Sequence, residues 1–139
     1  MKRTDPQVQR FIQHLREQCR ASKITIILAN HRSIKDWDGE FQDGLDGYFN
    51  PPTKNSRGFI VIAAKRPMPT VLHTLAHEFV HFQQWQEQVK YYDNSSYLQL
   101  ESRTEARALN LLARYNLPIN MGVRQRSSHK YITKLWENS

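Results

Sequence analysis

One cysteine, Cys19, stands in 139 residues, so an internal disulfide and a cysteine-built zinc ribbon are both excluded. A lone thiol fits a reducing compartment, and a cytoplasmic protein is the expectation. No apolar run approaches the roughly 18–20 residues of a membrane span, which argues against a membrane partner. The opening Met1-Lys2-Arg3-Thr4-Asp5-Pro6-Gln7 is charged and polar, with no apolar h-region and no small-residue cleavage site, so a signal peptide is not expected. Repeats, low-complexity tracts and domain-sized linkers are missing as well. What remains, 39% hydrophobic, 24% charged and 11% aromatic, is ordinary globular composition and argues against disorder. The length allows one domain over 1–139, with a core built by packing alone.

Charge is abundant but uneven. Lys and Arg number 20 against 13 Asp and Glu, for a net +7. Residues 103–139 hold seven Arg or Lys and two Glu, so most of the excess lies at that end. Asp36, Asp38, Glu40, Asp43 and Asp46 form an acidic cluster with no basic residue between them. Such runs most often form solvated faces. The functional alternatives are a nucleic-acid contact for the basic segment 119–139 and a cation or basic-peptide contact for the acidic loop. Asp36-Trp37-Asp38-Gly39-Glu40 hints at a calcium loop, but its glycine is fourth rather than sixth and no Glu stands twelfth.

The spacing of apolar residues predicts a helix over 6–20, with Asp5 as cap, Pro6 in the first turn, and Val8, Phe11, Ile12, Leu15 and Cys19 on one face. The β-branched run 24–29 reads as a buried strand, Tyr48-Phe49 as a short one, and 58–64 as the clearest strand of the chain. Pro67 and Pro69 stop that strand, and Thr70 is placed to cap a helix over about 71–88. Ser96 and Gln99 have capping-box spacing before a helix over about 97–115, which Asn116 and Pro118 end. A last amphipathic segment spans 128–137. This order predicts an α+β fold, with helices on one side of a small mixed sheet.

The chemistry sits in the second long helix. His77-Glu78-Phe79-Val80-His81 is an H-E-x-x-H sequence, whose two imidazoles at i and i+4 can reach one metal ion. Glu78 stands close enough to act on a water at that ion. The bland alternative is a pair of core or surface histidines. Helical phase opposes a core role, because Val71, Leu72, Leu75, Phe79 and Phe82 form the apolar stripe and both imidazoles point away from it. His73 lies one turn earlier, but Thr74 follows it where a general base would be needed, so it reads as a neighbour of the site.

A catalytic zinc wants a third protein ligand. Gln84 stands where one known arrangement has a glycine turn and Glu87 where it has a ligand, but a continuing helix turns Glu87 elsewhere. No His occurs between 81 and 129. Nineteen residues separate His81 from Glu101, with Glu105 four positions on and on the same helical face. One of the two can ligate while the other orients an imidazole through its free N–H. The competing reading is two exposed helix charges balanced by Arg103 and Arg107.

His77-Glu78-Phe79-Val80-His81, followed by Glu101-x-x-Thr104-Glu105, resembles the gluzincin metallopeptidases, whose second motif is E-x-x-A-D or E-x-x-x-D. In size the chain is similar to the minigluzincins or the ImmA/IrrE-type peptidases, and residues 106–118 are loosely similar to the segment after the third ligand in the latter. The resemblance covers about 58–118, the motif core. It implies a compact zincin-like fold and one zinc ion per chain held by His77, His81 and Glu101. It also implies Glu78 as general base and Glu105 as the outer carboxylate bonded to the first His. Thr104 for Ala and Glu105 for Asp depart from the pattern. In zincin folds the strand before the motif helix is the sheet edge that binds an extended peptide; here that would be Phe59, Ile60, Val61, Ile62 and Ala63.

The implied activity is hydrolysis of peptide bonds in an intracellular protein, such as a repressor. A donor must stabilise the tetrahedral oxyanion. Tyr91, Tyr92 and Tyr97, between the two metal-bearing segments, and His129 and Tyr131, in the basic tail, are the candidates. Two other classes compete with a peptidase: a nucleic-acid-associated regulatory protein led by its basic end, and a catalytically silent zincin-shaped interaction module.

Overall fold

A computed structural model describes residues 1–34, 46–88 and 94–119. Among them the order is α1 (Pro6–Ala21), β1 (Ile24–Ala29), β2 (Gly47–Asn50), β3 (Gly58–Ala63), α2 (Met68–Gln86) and α3 (Asn94–Arg114). The result is a small mixed α/β unit compatible with the α+β expectation. The tail segment 128–137 lies outside the described residues. No described helix is long and apolar enough to cross a membrane.

Helix α1 buries the five apolar residues that its spacing singled out, Val8, Phe11, Ile12, Leu15 and Cys19. Burial pushes the Cys19 thiol up to about 12, so it behaves as a small apolar side chain. Asp5 occupies the N-cap position, but its carboxylate turns back to accept the Lys2 backbone N–H at 2.9 Å rather than capping the helix. Lys23, at φ 62, turns the chain from α1 into β1.

The sheet order is β1-β3-β2, with β1 parallel and β2 antiparallel to β3. The strand expected at the edge is therefore the central one. Phe59, Ile60, Val61 and Ile62 pair on both sides, with residues 25–28 and with 47–50; Ala63 pairs with Ala29 and donates its N–H to the Asp46 carbonyl, so the strand offers no backbone to an incoming peptide. A continuous β-branched run is what a strand flanked and covered on both sides requires. Among the described residues, β1 and β2 form the outer strands of the sheet.

Register places Ile26, Ile60 and Phe49 side by side on one face. That face carries α2, where Phe49 meets Phe82 and Trp85 edge-on at centroid distances of 6.1 Å each. β2 can lie this close to α2 because Gly47 has no side chain; a Cβ there would stand 2.8 Å from Thr74 Cγ2 and 3.0 Å from Ile62 Cδ1. Asp46, at the foot of β2, is buried and ion-paired with Arg66 at 2.7 Å. The rest of the acidic cluster, 36–43, lies outside the described residues.

Helix α2 begins at Met68, three residues before the predicted start, with Pro67 at the N-cap and Pro69 in the first turn. Proline is harmless there because the first N–H groups of a helix have no partner inside it. Thr70 thus lies inside the helix, and Ser96 likewise falls in the first turn of α3 rather than before it. Asn116 ends α3 as predicted: it adopts φ 56, and the Leu117 N–H returns to the Leu112 carbonyl at 3.1 Å.

Candidate metal centre

Helix α2 lies between the sheet and α3 and is buried on every side from Val71 to Phe82. The apolar stripe faces the sheet side, where Phe82 meets Phe49. The opposite face, where phase puts His77 and His81, is covered by α3, so both imidazoles are buried after all, at 1% and 0% exposure. Glu78 is fully buried as well. The sequence pattern located the imidazole face correctly but could not show that a second helix closes over it.

Three groups meet under α3. His77 Nε2 and His81 Nε2 lie 3.1 Å apart. Glu101 spans them, with Oε2 at 3.5 Å from His77 Nε2 and Oε1 at 3.3 Å from His81 Nε2. A tetrahedral cation with bonds of about 2.0–2.1 Å holds its donors about 3.3 Å apart; the two Nε2 atoms stand near that spacing, and one ligand atom from each of the three residues lies within 4.8 Å of the others. His77, His81 and Glu101 can hold a metal ion. Glu101 is thus the member of the Glu101/Glu105 pair that reaches both Nε2 atoms.

Glu105 lies on the far side of His77. Its Oε2 is 3.4 Å from His77 Nδ1, and its Oε1 is 2.5 Å from His73 Nε2. His73, read as a neighbour of the site, is held through this shared carboxylate. Arg107 does not balance the glutamates; it bonds Gln83 and Glu87, each at 3.0 Å, and ties the end of α2 to α3.

A second tie fixes His81, and the sequence reading missed it. Thr104 donates its hydroxyl to the Leu100 carbonyl at 2.7 Å. Its oxygen then accepts the Gln84 amide N–H at 2.8 Å, which leaves the Gln84 carbonyl oxygen 2.9 Å from His81 Nδ1. A backbone carbonyl only accepts, so the polarity of the chain is set at that end. Nδ1 of His81 must carry a proton, so in the neutral imidazole Nε2 is the atom that presents a lone pair to the triangle. The detectable signals were Gln84 three residues after His81 and Thr104 three after Glu101, each noted only as a departure from a family pattern.

The electrostatics favour a cation at this point. Burial opposes charge on His77, but hydrogen bonds with Glu101 and Glu105 and the nearby Glu78 charge outweigh it and raise its pKa to about 10. Burial likewise pushes Glu101 up, yet His77 and His81 more than reverse this and hold it well below the usual carboxylate range. Glu105, opposed by the same burial, is lowered by His73 and His77 to about 2. Positive charge between the imidazoles and the carboxylates, as a proton or a metal ion, is what stabilises the cluster.

The oxyanion candidates Tyr91, Tyr92, His129 and Tyr131 lie outside the described residues, as does the side chain of Tyr97. Comparisons of the chain with family models, with curated proteins and with solved structures return no match.

Proposed function

We propose that this chain is a zinc-dependent metallopeptidase of gluzincin type, hydrolysing peptide bonds of a protein substrate. The observation that carries the reading is the triangle of His77 Nε2, His81 Nε2 and Glu101, with Glu78 one residue from the first ligand. Two imidazoles and a carboxylate make a common catalytic zinc set and leave a fourth position for water or substrate. Zinc held by His77, His81 and Glu101 would supply a water of lowered pKa and a Lewis acid for the scissile carbonyl. Glu78 accepts the proton of the attacking water and delivers it to the leaving amine, acting as base and then as acid. Glu105 and the Gln84–Thr104 pair hold the two imidazoles in the tautomer that directs Nε2 to the ion. Zincin-like architecture and a reducing, cytoplasmic setting belong to the same reading.

The test is Glu78→Gln. The variant is expected to bind zinc as the parent does while cleavage of an unfolded protein falls by about 10³-fold or more, the scale of losing a group that acts in the transition state. Undiminished cleavage refutes the assignment.

Burial favours a second reading. Structural zinc sites are closed, and His77, Glu78 and His81 are at most 1% exposed. Among the described residues, the partly exposed groups paired with these imidazoles are Glu101 and Glu105, whose side chains are 28% and 37% accessible. A catalytically silent, metal-stabilised module would bind zinc with the same ligands but show no cleavage in the parent protein.

A further inference from the structure

The edge of the sheet farthest from β2 combines two features that no part of the metal centre uses. The Lys23 and Ala29 carbonyls accept from Gly58 and Ala64 at 3.0 and 2.8 Å, so odd-numbered residues of β1 direct their backbone groups towards β3. By the alternation of a parallel ladder, Ile24, Ile26 and Leu28 direct theirs outward. No described backbone group bonds that edge. Beside it lies a cavity of about 160 Å³ lined by Arg16, Arg20, Ile24, Thr25, Ile26 and Arg57.

Three arginines therefore flank a strand edge that no described backbone group pairs. Arg16 and Arg20 are one helical turn apart on α1, and Arg57 immediately precedes β3. None of the three makes an ion pair or a side-chain hydrogen bond among the described residues. Arg16 is half-buried, and both burial and the charge of Arg3 lower its pKa. Each of these costs is offset by bringing a carboxylate to the cavity. Glu17, which borders the neighbouring cavity along α1, is hydrogen-bonded by Gln13 at 3.3 Å and does not neutralise them.

We propose that the β1 edge, with Arg16, Arg20 and Arg57, is a docking site for an extended acidic segment of a partner protein, which pairs as an added fourth strand. Backbone pairing to Ile24, Ile26 and Leu28 sets the register, and alternate side chains of the added strand bring carboxylates to the arginines. Ile27, 39% exposed on β1, gives the apolar side chains of an alternating segment a surface to cover. The site is independent of the metal centre and goes beyond the peptidase reading.

The experiment uses the full chain and fluorescence anisotropy with a labelled eight-residue peptide alternating Asp and Val. Binding is expected, weakening as salt rises. Replacing Asp by Asn, or N-methylating alternate amides so that the peptide cannot pair, should each weaken it at least tenfold. Arg20→Ala and Arg57→Ala, both at exposed positions, should each weaken it roughly two- to fivefold, with metal content unchanged. Equal affinity for all three peptides overturns the proposal. So does tighter binding of single-stranded oligothymidylate, which would make the arginines a phosphate site. Self-association of the chain that the acidic peptide does not disperse overturns it too, since the edge would then be filled by a second copy.

Discussion

The face that α1 turns towards β1 and the α2 side of the seam between α2 and α3 are both buried, but opposite chemistry fills them. Val8, Phe11, Ile12, Leu15 and Cys19 fill the first, with Phe11 meeting Tyr115 edge-on at 5.2 Å. The second holds His73, His77, Glu78, His81, Gln84 and Thr104, all at most 2% exposed. Apolar contact is non-directional and tolerates small shifts, whereas each buried polar atom needs a partner at a set distance and angle. The α1 side therefore supplies stability, and the seam holds a fixed arrangement that the rest of the fold must support.

The sharpest way to separate the two is to remove a ligand. Glu101→Ala takes away a carboxylate that reaches both Nε2 atoms. Zinc affinity, measured by competition with a chelator, is expected to fall by well over the ~10–100-fold that loss of an outer partner costs. Glu105→Ala should fall within that smaller range, because Glu105 acts through His77 and His73. The reverse order would exchange their roles. The contrasting change is Phe11→Ala, which opens a cavity under α1 and should cost about 3–5 kcal/mol in denaturant unfolding. Its folded fraction should bind zinc as the parent does, since Phe11 lies on α1 and the three ligands on α2 and α3.

The two regions were not equally legible in the sequence. Every buried position of α1 follows from its spacing, because a helix packed on one side needs one apolar stripe. β1 likewise runs over the predicted 24–29. On α2 the spacing gave the stripe that faces the sheet and the H-E-x-x-H face opposite. Nothing local shows that the second face is buried, because its cover arrives some twenty residues later in the chain. The β3 misreading has the same origin. A run of Phe59, Ile60, Val61, Ile62 and Ala63 specifies burial on both faces, but whether one neighbour or two flank it depends on where 24–29 and 47–50 return. Gln84 and Thr104 look unremarkable in sequence, since the bond that gives them meaning crosses from one helix to the other.

That bond offers the smallest and most selective perturbation. Thr104→Val keeps shape and volume but leaves the Gln84 amide N–H buried at the Thr104 position without an acceptor, at a cost of about 1–3 kcal/mol in stability. Rotating the amide to relieve this would turn an N–H towards His81 Nδ1, moving the imidazole proton to Nε2 and its lone pair away from the triangle. Nitrogen-15 NMR of the metal-free protein should show His81 leaving the Nδ1–H tautomer, with zinc affinity down by ~10–100-fold. Thr104→Ser, which restores the hydroxyl, should recover both. A tautomer unchanged in Thr104→Val would mean that Gln84 alone orients His81, and the hydroxyl would then serve only to join α3 to α2.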